Sequence, residues 1–511
     1  MQIEWQIFPQ KSWHVGAVVF FGFEETGKPL PGFDGFVKES GSWLVDTAAL
    51  RDFQGKLNEI AVFYAPSGDA AIPRIILAGL GPRDGFESEK VRNAAAFAFR
   101  KCGELGIKSL GLPLCAFEGM PLEIATGLRE ALIGGLTGLH RFKELKTKNS
   151  DSLSEPTTVH ILSEIPPDDA LSDIAVLAEA EAAGIVLARD LTISPANRAT
   201  PEFLADTARD QARRFGFRVE IIDRKSALSM GMGAFSAVAQ GSQEPAYIVV
   251  IEHAPLGTGN DPPLVLAGKG ITFDTGGISL KSRDKMEAMK QDMAGAAAVL
   301  GAFEIIGRMQ LRKHVIGVLP CTENMPGGRA YKPGDVIRSY SGQTIEVIST
   351  DAEGRMVLCD VLAYAADRFG PSAMVDIATL TGACIIALGN LAAAVLGNRE
   401  DYVNSIREIG GTVGEKFWPL PLWDPYFEAI KSDVADVKNV GDRSAGTIIG
   451  GIFLKQFVPG EIPWVHLDIA GTAWTEKDTG ATPRGATGFG VRTLFEIARR
   501  WPLVAEQMEV E

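Results

Sequence analysis

Short apolar runs, bounded by glycine, proline and polar residues, alternate with longer amphipathic stretches along the 511-residue chain. Residues 18–21, 60–64 and 74–78 are rich in β-branched and aromatic side chains and predict strands. A helical stretch at 88–103 and strands at 109–113 and 158–162 continue the pattern, and the polar run 143–155 reads as surface loop. Residues 1–165 thus predict an α/β domain of their own. The next stretch, 168–189, is dominated by Ala, Leu and Glu, with Asp168 or Asp169 placed to cap it. It predicts a rigid connector helix within 166–191, followed by a Pro/Asn loop to residue 200.

From 192 to 511 apolar strand candidates at 246–251, 263–267, 314–319, 344–348, 373–378 and 464–469 alternate with helical patterns. The helices are expected at 285–308, 355–368, 448–458 and 491–500. Strands alternating with helices predict a mixed, mainly parallel, helix-covered sheet. The expected fold class is therefore α/β, with a smaller N-terminal α/β domain and a larger C-terminal one. In such sheets ligands bind beyond the C-terminal ends of the strands.

Composition narrows the picture. Apolar residues make up 46% of the chain, which excludes wholesale disorder. Fifty basic against 64 acidic residues leave a net charge of −14, which counts against nucleic acid as a partner. Five cysteines without any C-x-x-C pair read as reduced thiols, and no secretory signal is evident, so a cytoplasmic protein is expected. Residues 377–398 carry no charge, but Thr, Gly and Asn interrupt them and Ala dominates. They predict a buried turn and helix of a soluble core, not a membrane span.

The six histidines form neither H-E-x-x-H nor H-x-x-x-H, and there is no Walker A sequence or G-x-S-x-G elbow. Two acidic segments stand out instead. Lys269 and Asp274 follow the strand candidate 263–267, and the segment runs on to Lys281 and Asp292; Asp351 and Glu353 follow the candidate at 344–348. A lone Asp or Glu at such a junction is commonly a helix cap. Four carboxylates brought together repel unless cations join them, and two divalent ions would neutralise them. Two metals can share a hydroxide and polarise a carbonyl. A buried Lys269 binding as the free amine costs about 4.6 kcal/mol to deprotonate at neutral pH, which a metal can supply.

The runs Asp274-Thr-Gly-Gly-Ile-Ser-Leu-Lys281 and Thr350-Asp-Ala-Glu-Gly-Arg355 closely resemble the signatures of leucyl aminopeptidases, the two-metal cytosolic family. The resemblance continues in Glu323-Asn-Met-Pro-Gly-Gly, Arg338-Ser-Tyr-Ser-Gly, Ala378-Thr-Leu-Thr-Gly-Ala383 and His466-Leu-Asp-Ile-Ala-Gly471, over roughly residues 185–500. It implies a metallo-aminopeptidase that removes N-terminal residues, Leu and other apolar residues preferred, from short peptides. It implies two divalent ions, Mn or Zn, with Asp274 and Glu353 bridging both. Lys269 and Asp292 would complete one metal site and Asp351 the other. Lys281 would hold the scissile carbonyl or its oxyanion. Arg355, helped by backbone near Leu380, would bind bicarbonate as general base. Met289, Thr379, Leu380, Gly382, Ala470 and Ala473 would contribute to substrate binding, although Met286, Met289 and Met293 also recur at the spacing of a core-facing helix. The family implies a homohexamer whose sites face an interior cavity.

Ser349, Gln291 and Ala294 depart from the residues usual in the family, and none removes an implied ligand. Two other readings compete. One is an additional role as a DNA-binding regulator, which the charge opposes; the other is a catalytically silent relative, which the complete ligand set opposes.

Overall fold

The computed structural model describes residues 1–7, 13–25, 28–39, 52–65, 72–148, 156–259 and 261–501. Residues 149–155 of the expected polar loop lie outside them. Contacts divide the chain into two compact units: Met1–Ala182 together with Glu476–Arg484, and Ala183–Thr475 together with the chain from Gly485 onward.

The first unit holds a seven-stranded sheet in the order Gln2–Ile7, Thr158–Ser163, Ser109–Pro113, Ala17–Phe23, Arg74–Gly79, Ile60–Tyr64, with Lys28–Pro29 paired to Ala17–Phe23. Ala17–Phe23 is buried along its whole length, as expected of a strand covered on both faces. Helices Glu89–Glu104 and Ile124–Leu139 pack against each other. Residues 476–484 complete this unit. Arg100 makes a two-pronged ion pair with Asp478, at 2.8 and 2.9 Å, and the Thr137 hydroxyl donates to the Ala481 carbonyl at 3.2 Å.

A 25-residue helix, Asp169–Ile193, runs through the expected connector. Its Ala-rich sequence sustains the length, and the Asp168 carboxylate accepts the Leu171 N–H at 2.8 Å at its start.

The second unit holds a nine-stranded, mixed but mainly parallel sheet. Its order is Phe417–Pro419, Ala393–Gly397, Trp464–Asp468, Ala373–Ala378, Leu264–Gly268, Val315–Asn324, Tyr247–His253, Arg218–Asp223, with Gly270–Asp274 paired to Val315–Asn324. Helices cover both faces. Val265, Ala267, Ile316 and Val318 pack with helix Glu353–Phe369, while Gly317, on the opposite face, lies against Val299 and Phe303 of helix Ala294–Met309. The two-domain α/β class expected from the sequence is the observed one.

Local differences from the sequence reading fall around the strand ends. The single helix expected over 285–308 is broken. Lys285 adopts φ 59°, residues 286–291 form a 3₁₀ turn, and the α-helix starts only at Ala294. The break has a cause: the Ala296 N–H, one of the unpaired donors of a helix start, bonds the Lys269 carbonyl at 2.8 Å. Met289 is therefore not on a core-facing α-helical stripe and is half-buried. The strand expected at 314–319 runs on to Asn324, and the one at 344–348 stops at Glu346. The segment 377–398 is less buried than its composition suggests. It forms a short helix, Gly382–Leu388, in which only Cys384 is buried and Ile386 is 89% exposed. Among the described residues no helix is long and apolar enough to cross a membrane.

One buried charge tests the packing of helix Pro201–Phe215 on Ala294–Met309. Burial alone would raise the Glu304 carboxyl, but hydrogen bonds and charge from Arg214 and Arg308 outweigh it and hold the group below its ordinary 4.5. Arg214 forks onto both oxygens at 2.9 and 2.7 Å, and buried Gln211 adds a bond at 3.3 Å. A lowered folded-state value means the stabilisation is complete above pH 4.5 and disappears as the pH falls through the folded value. Because Arg214 is part-exposed, Glu304→Gln is expected to cost only about 2 kcal/mol at neutral pH. Urea unfolding at pH 7 and at pH 4 checks this: the gap between variant and parent should narrow at the lower pH.

Candidate active site

Five parallel strands end at one place, and each delivers a polar residue there. Lys269 follows Leu264–Gly268, Asp274 ends Gly270–Asp274, Asn324 ends Val315–Asn324, Thr379 follows Ala373–Ala378, and Asp468 ends Trp464–Asp468. Asp351 and Glu353 arrive from the turn that opens helix Glu353–Phe369. Oxygens of Asp274, Asp351 and Glu353 lie within 4.8 Å of one another.

Two lysines thread this cluster. Lys269 Nζ lies 2.8 Å from Asp292 and 2.8 Å from Glu353, and donates to the Thr379 carbonyl at 3.1 Å. Lys281 Nζ lies 2.7 Å from Asp274 and 2.5 Å from Asp351. The sequence-derived ligand set of Lys269, Asp274, Asp292, Asp351 and Glu353 is thus gathered in one site with Lys281. Lys269, Asp274, Asp292 and Glu353 are buried, whereas Asp351 is exposed.

Four carboxylates face two ammonium groups, leaving two negative charges in excess. Burial and the charges of Glu353 and Asp274 push Asp292 well above the ordinary carboxylate value, against the pull of Lys269. Asp274 rises for the same reasons, with Glu353 the main repelling charge. Burial would lower both lysines, but Lys269 is raised by Asp292, Glu353 and Asp274, and Lys281 by Asp274, Glu353 and Asp351. The Asp292 Oδ2 atom is buried and has no hydrogen-bond partner. A donor set of four carboxylates and one lysine amine, with excess negative charge and an unpartnered buried carboxylate oxygen, fits divalent cations.

Backbone geometry brings the two acidic segments together. Gly276 and Gly277 have φ of 85° and 66°, and a Cβ on Gly276 would stand 2.8 Å from Asp351 Oδ1. The Thr350 hydroxyl then donates to the Gly276 carbonyl at 2.6 Å and accepts the Ser279 N–H at 2.8 Å. Asn324 Nδ2 donates to Asp274 at 2.8 Å, to the Thr350 carbonyl at 3.0 Å and to Glu353 at 3.4 Å.

Arg355 stands apart from this cluster. It is buried, Nη1 donates to the Asn439 carbonyl at 2.8 Å, and Nε has no partner. Burial lowers it to about 10. The Leu380 N–H donates to Asp468 at 3.2 Å, so that amide is committed elsewhere than to an anion at Arg355. A Cβ on Gly450 would meet Leu380, Thr381 and Arg355 within 3.5 Å, which places Leu380 beside the guanidinium. The remaining expected substrate residues follow neighbouring strand ends. Thr379 donates to Asp292 at 2.7 Å, Gly382 opens the helix after it, and Ala470 and Ala473 lie just past Asp468. Met289 sits in the 3₁₀ turn that ends beside Asp292, and its neighbour Lys290 lies 5.9 Å from the Trp474 ring centroid.

Sequence reasoning gave no role to Asn324, Asn439 or Asp468. Asn324 and Asp468 were visible only as letters within the Glu323-Asn-Met-Pro and His466-Leu-Asp motifs. Asn439 lies in no motif, yet its side chain accepts the Ile348 N–H at 2.8 Å and donates to the Ser349 carbonyl at 2.7 Å, clamping the turn before Asp351.

Comparison with known proteins agrees with this geometry. The cytosol aminopeptidase family's catalytic-domain model matches residues 186–495, and its N-terminal-domain model matches residues 18–149. A probable cytosol aminopeptidase of Syntrophobacter fumaroxidans is 58% identical over 98% of this chain and 99% of its own length. One of Nitratidesulfovibrio vulgaris is 46% identical over 97% and 98%. Among solved structures, a mutant of tomato leucine aminopeptidase superposes with a TM-score of 0.85 at 30% identity, over 98% of this chain and 96% of that one. The bottromycin maturation enzyme BotP in complex with Mn gives 0.82 at 32% identity, over 95% and 99%. Fold, strand-end site and relatives define a peptidase. The chain belongs to the cytosol aminopeptidase family, the leucyl aminopeptidases, and is an aminopeptidase.

The packing around Lys269 makes a prediction. A Cβ on Gly354 would stand 2.6 Å from Lys269 Cε and 2.7 Å from Nζ. Gly354→Ala is favoured by helix propensity by about 1 kcal/mol but must push the ammonium out of place. The variant is expected to keep its circular dichroism spectrum and lose at least about tenfold in peptidase rate. Full activity would mean that the position of Lys269 is immaterial.

Proposed function

We propose that the protein hydrolyses the first peptide bond of short peptides with a free N-terminus, Leu and other apolar residues preferred, using two divalent ions, Mn or Zn. The observation that carries this reading is the buried cluster of Asp274, Asp292 and Glu353 with Asp351, whose negative charge exceeds that of Lys269 and Lys281. Lys269, Asp274, Asp292 and Glu353 would hold one ion, and Asp274, Asp351 and Glu353 the other. When bound, the ions supply a water activated near neutral pH and a polarised substrate carbonyl.

The chain's own groups do the rest. Lys281 is one-quarter exposed at its side chain and reaches the cluster from its open side. Relieved of its carboxylate partners, its ammonium can donate to the oxyanion that forms as water oxygen adds to the carbonyl carbon. The C–N bond then breaks, and the proton released by the water passes to the leaving amine. With Asp274, Asp292, Asp351 and Glu353 committed to the ions on this reading, the proton carrier has to come from outside the chain. Buried Arg355, with Nε unpartnered, would bind bicarbonate, which can accept that proton and return it. Met289, Thr379, Gly382, Ala470 and Ala473 would wall the pocket for the N-terminal side chain, with Leu380 contributing through its backbone beside Arg355, and the small Thr, Gly and Ala leave room for leucine.

A homohexamer in the cytoplasm completes the proposal. Ile386, Leu391, Trp418 and Trp423 are exposed on the catalytic unit, and apolar groups of this kind favour burial against further copies. Light scattering should then return six times the 54.7 kDa chain mass; a monomer would refute the assembly.

Hydrolysis of leucine p-nitroanilide by the purified protein tests the chemistry. EDTA should abolish turnover and Mn or Zn should restore it; turnover surviving thorough metal removal would sink the mechanism. Glu353→Ala should cost at least about 100-fold while the protein stays folded and assembled. Unchanged turnover in that variant would remove Glu353 from the metal site.

A further inference from the structure

Asp468 is fully buried and has none of the functional roles assigned above. It ends strand Trp464–Asp468, directly opposite Ala378 at the end of the parallel neighbour Ala373–Ala378. The two chain segments that leave these strands, 379–382 and 469–473, therefore run side by side, and the Asp468 carboxylate lies between them. Oδ1 accepts the Leu380 N–H at 3.2 Å, the Thr381 N–H at 3.5 Å and the Ala470 N–H at 3.2 Å. Oδ2 accepts the Thr381 hydroxyl at 2.7 Å, and that hydroxyl also meets Thr447 Oγ1 at 2.8 Å. One side chain thus bonds both segments at once, through three backbone amides and one hydroxyl.

Those segments border the catalytic cluster. Thr379 bonds Asp292 and Lys269, Leu380 stands beside Arg355, and Trp474 lies against Lys290 of the 286–291 turn. We infer that Asp468 is a positioning residue that sets the aminopeptidase's preference for the N-terminal side chain, by holding the 379–382 and 469–473 segments at a fixed separation. This rests on the proposed function, which makes those segments the walls of the side-chain pocket. A carboxylate suits the task, because both its oxygens only accept, so one side chain can take three backbone amides and a hydroxyl together. With the tether gone, the walls spread, the pocket no longer closes on a leucine side chain, and a small side chain is handled almost as well.

The test compares Asp468→Ala and Asp468→Asn with the parent on leucine and alanine p-nitroanilides in saturating Mn. The asparagine side-chain oxygen can still accept the amides; alanine leaves them unpaired. For Asp468→Ala the leucine-over-alanine preference in kcat/KM should fall at least about tenfold, mainly through a higher KM for the leucine substrate. Asp468→Asn should restore most of that preference. Bound Mn per subunit, measured on the same samples, should stay at the parent value. A purely structural role would lower the melting temperature without moving the preference, and a folded Asp468→Ala with the parent's preference overturns the inference. If Asp468→Ala does not fold, Thr381→Val decides. It removes the 2.7 Å bond and should shift the preference the same way by about threefold, and an unshifted preference is again a refutation. A parent enzyme that leaves leucine p-nitroanilide intact with Mn or Zn present overturns the proposed function and this inference together. An active parent with unaffected variants overturns this inference alone.

Discussion

Mutual repulsion of four carboxylates, gathered where one strand end, a helix start and a 3₁₀ turn meet, is the constraint around which the catalytic unit is arranged. Asp274, Asp292 and Glu353 are buried, so their charges are poorly screened, and two lysines compensate only half of the charge that Asp351 brings to four. Holding such a set in place demands rigid support from every side. That support is visible in the sheet, whose neighbouring parallel strands end together, and in hydrogen bonds that leave little freedom. Asn324 alone ties Asp274, Glu353 and the Thr350 carbonyl into one unit. The tyrosine hydroxyl of Tyr331 adds a second bond to the same carbonyl at 2.9 Å.

The same constraint explains why small residues crowd this part of the chain. Lys269 must reach the cluster through the start of helix Glu353–Phe369, where Gly354 leaves the space its side chain fills. The helix beginning at Ala294 must approach strand Ala373–Ala378 so closely that a Cβ on Gly295 would lie 2.1 Å from the Ile377 carbonyl. Bulk removed at these positions is bulk supplied by lysine and backbone, so the interior stays close-packed while carrying charge.

Much of this was legible in the sequence, for physical reasons. Buried parallel strands are continuous apolar runs, so Leu264–Gly268 and Ala373–Ala378 were found nearly to the residue. The acidic residues were legible because their types and spacing carry chemistry wherever they occur. What escaped depended on long-range contacts. The break at Lys285–Met293 follows from a bond between the Ala296 amide and the Lys269 carbonyl, which no local pattern announces. Strand Val315–Asn324 passes through Pro320 and Cys321 to reach Asn324, where the apolar run had already faded. Asn439 acts on residues some 90 positions earlier in the chain, and a lone asparagine in a polar stretch has no signature for that. The exposure of Ile386 likewise runs against composition, since an uncharged run reads as interior whatever surface it ends on.

The strip Glu476–Arg484 leaves the catalytic unit, contributes to the N-terminal one, and returns. Arg100, Thr137 and Asn93, all made early in synthesis, find their partners Asp478 and Ala481 only when nearly the whole chain exists. During synthesis from the N-terminus, the first unit therefore waits, with the Arg100 guanidinium lacking its carboxylate, until residue 484 has emerged. Domains made first generally fold first. Here the order is looped: the first unit to appear is finished only once residue 484 has been made, with just the last stretch of the second unit, from Gly485 through helix Val491–Arg500, still to come.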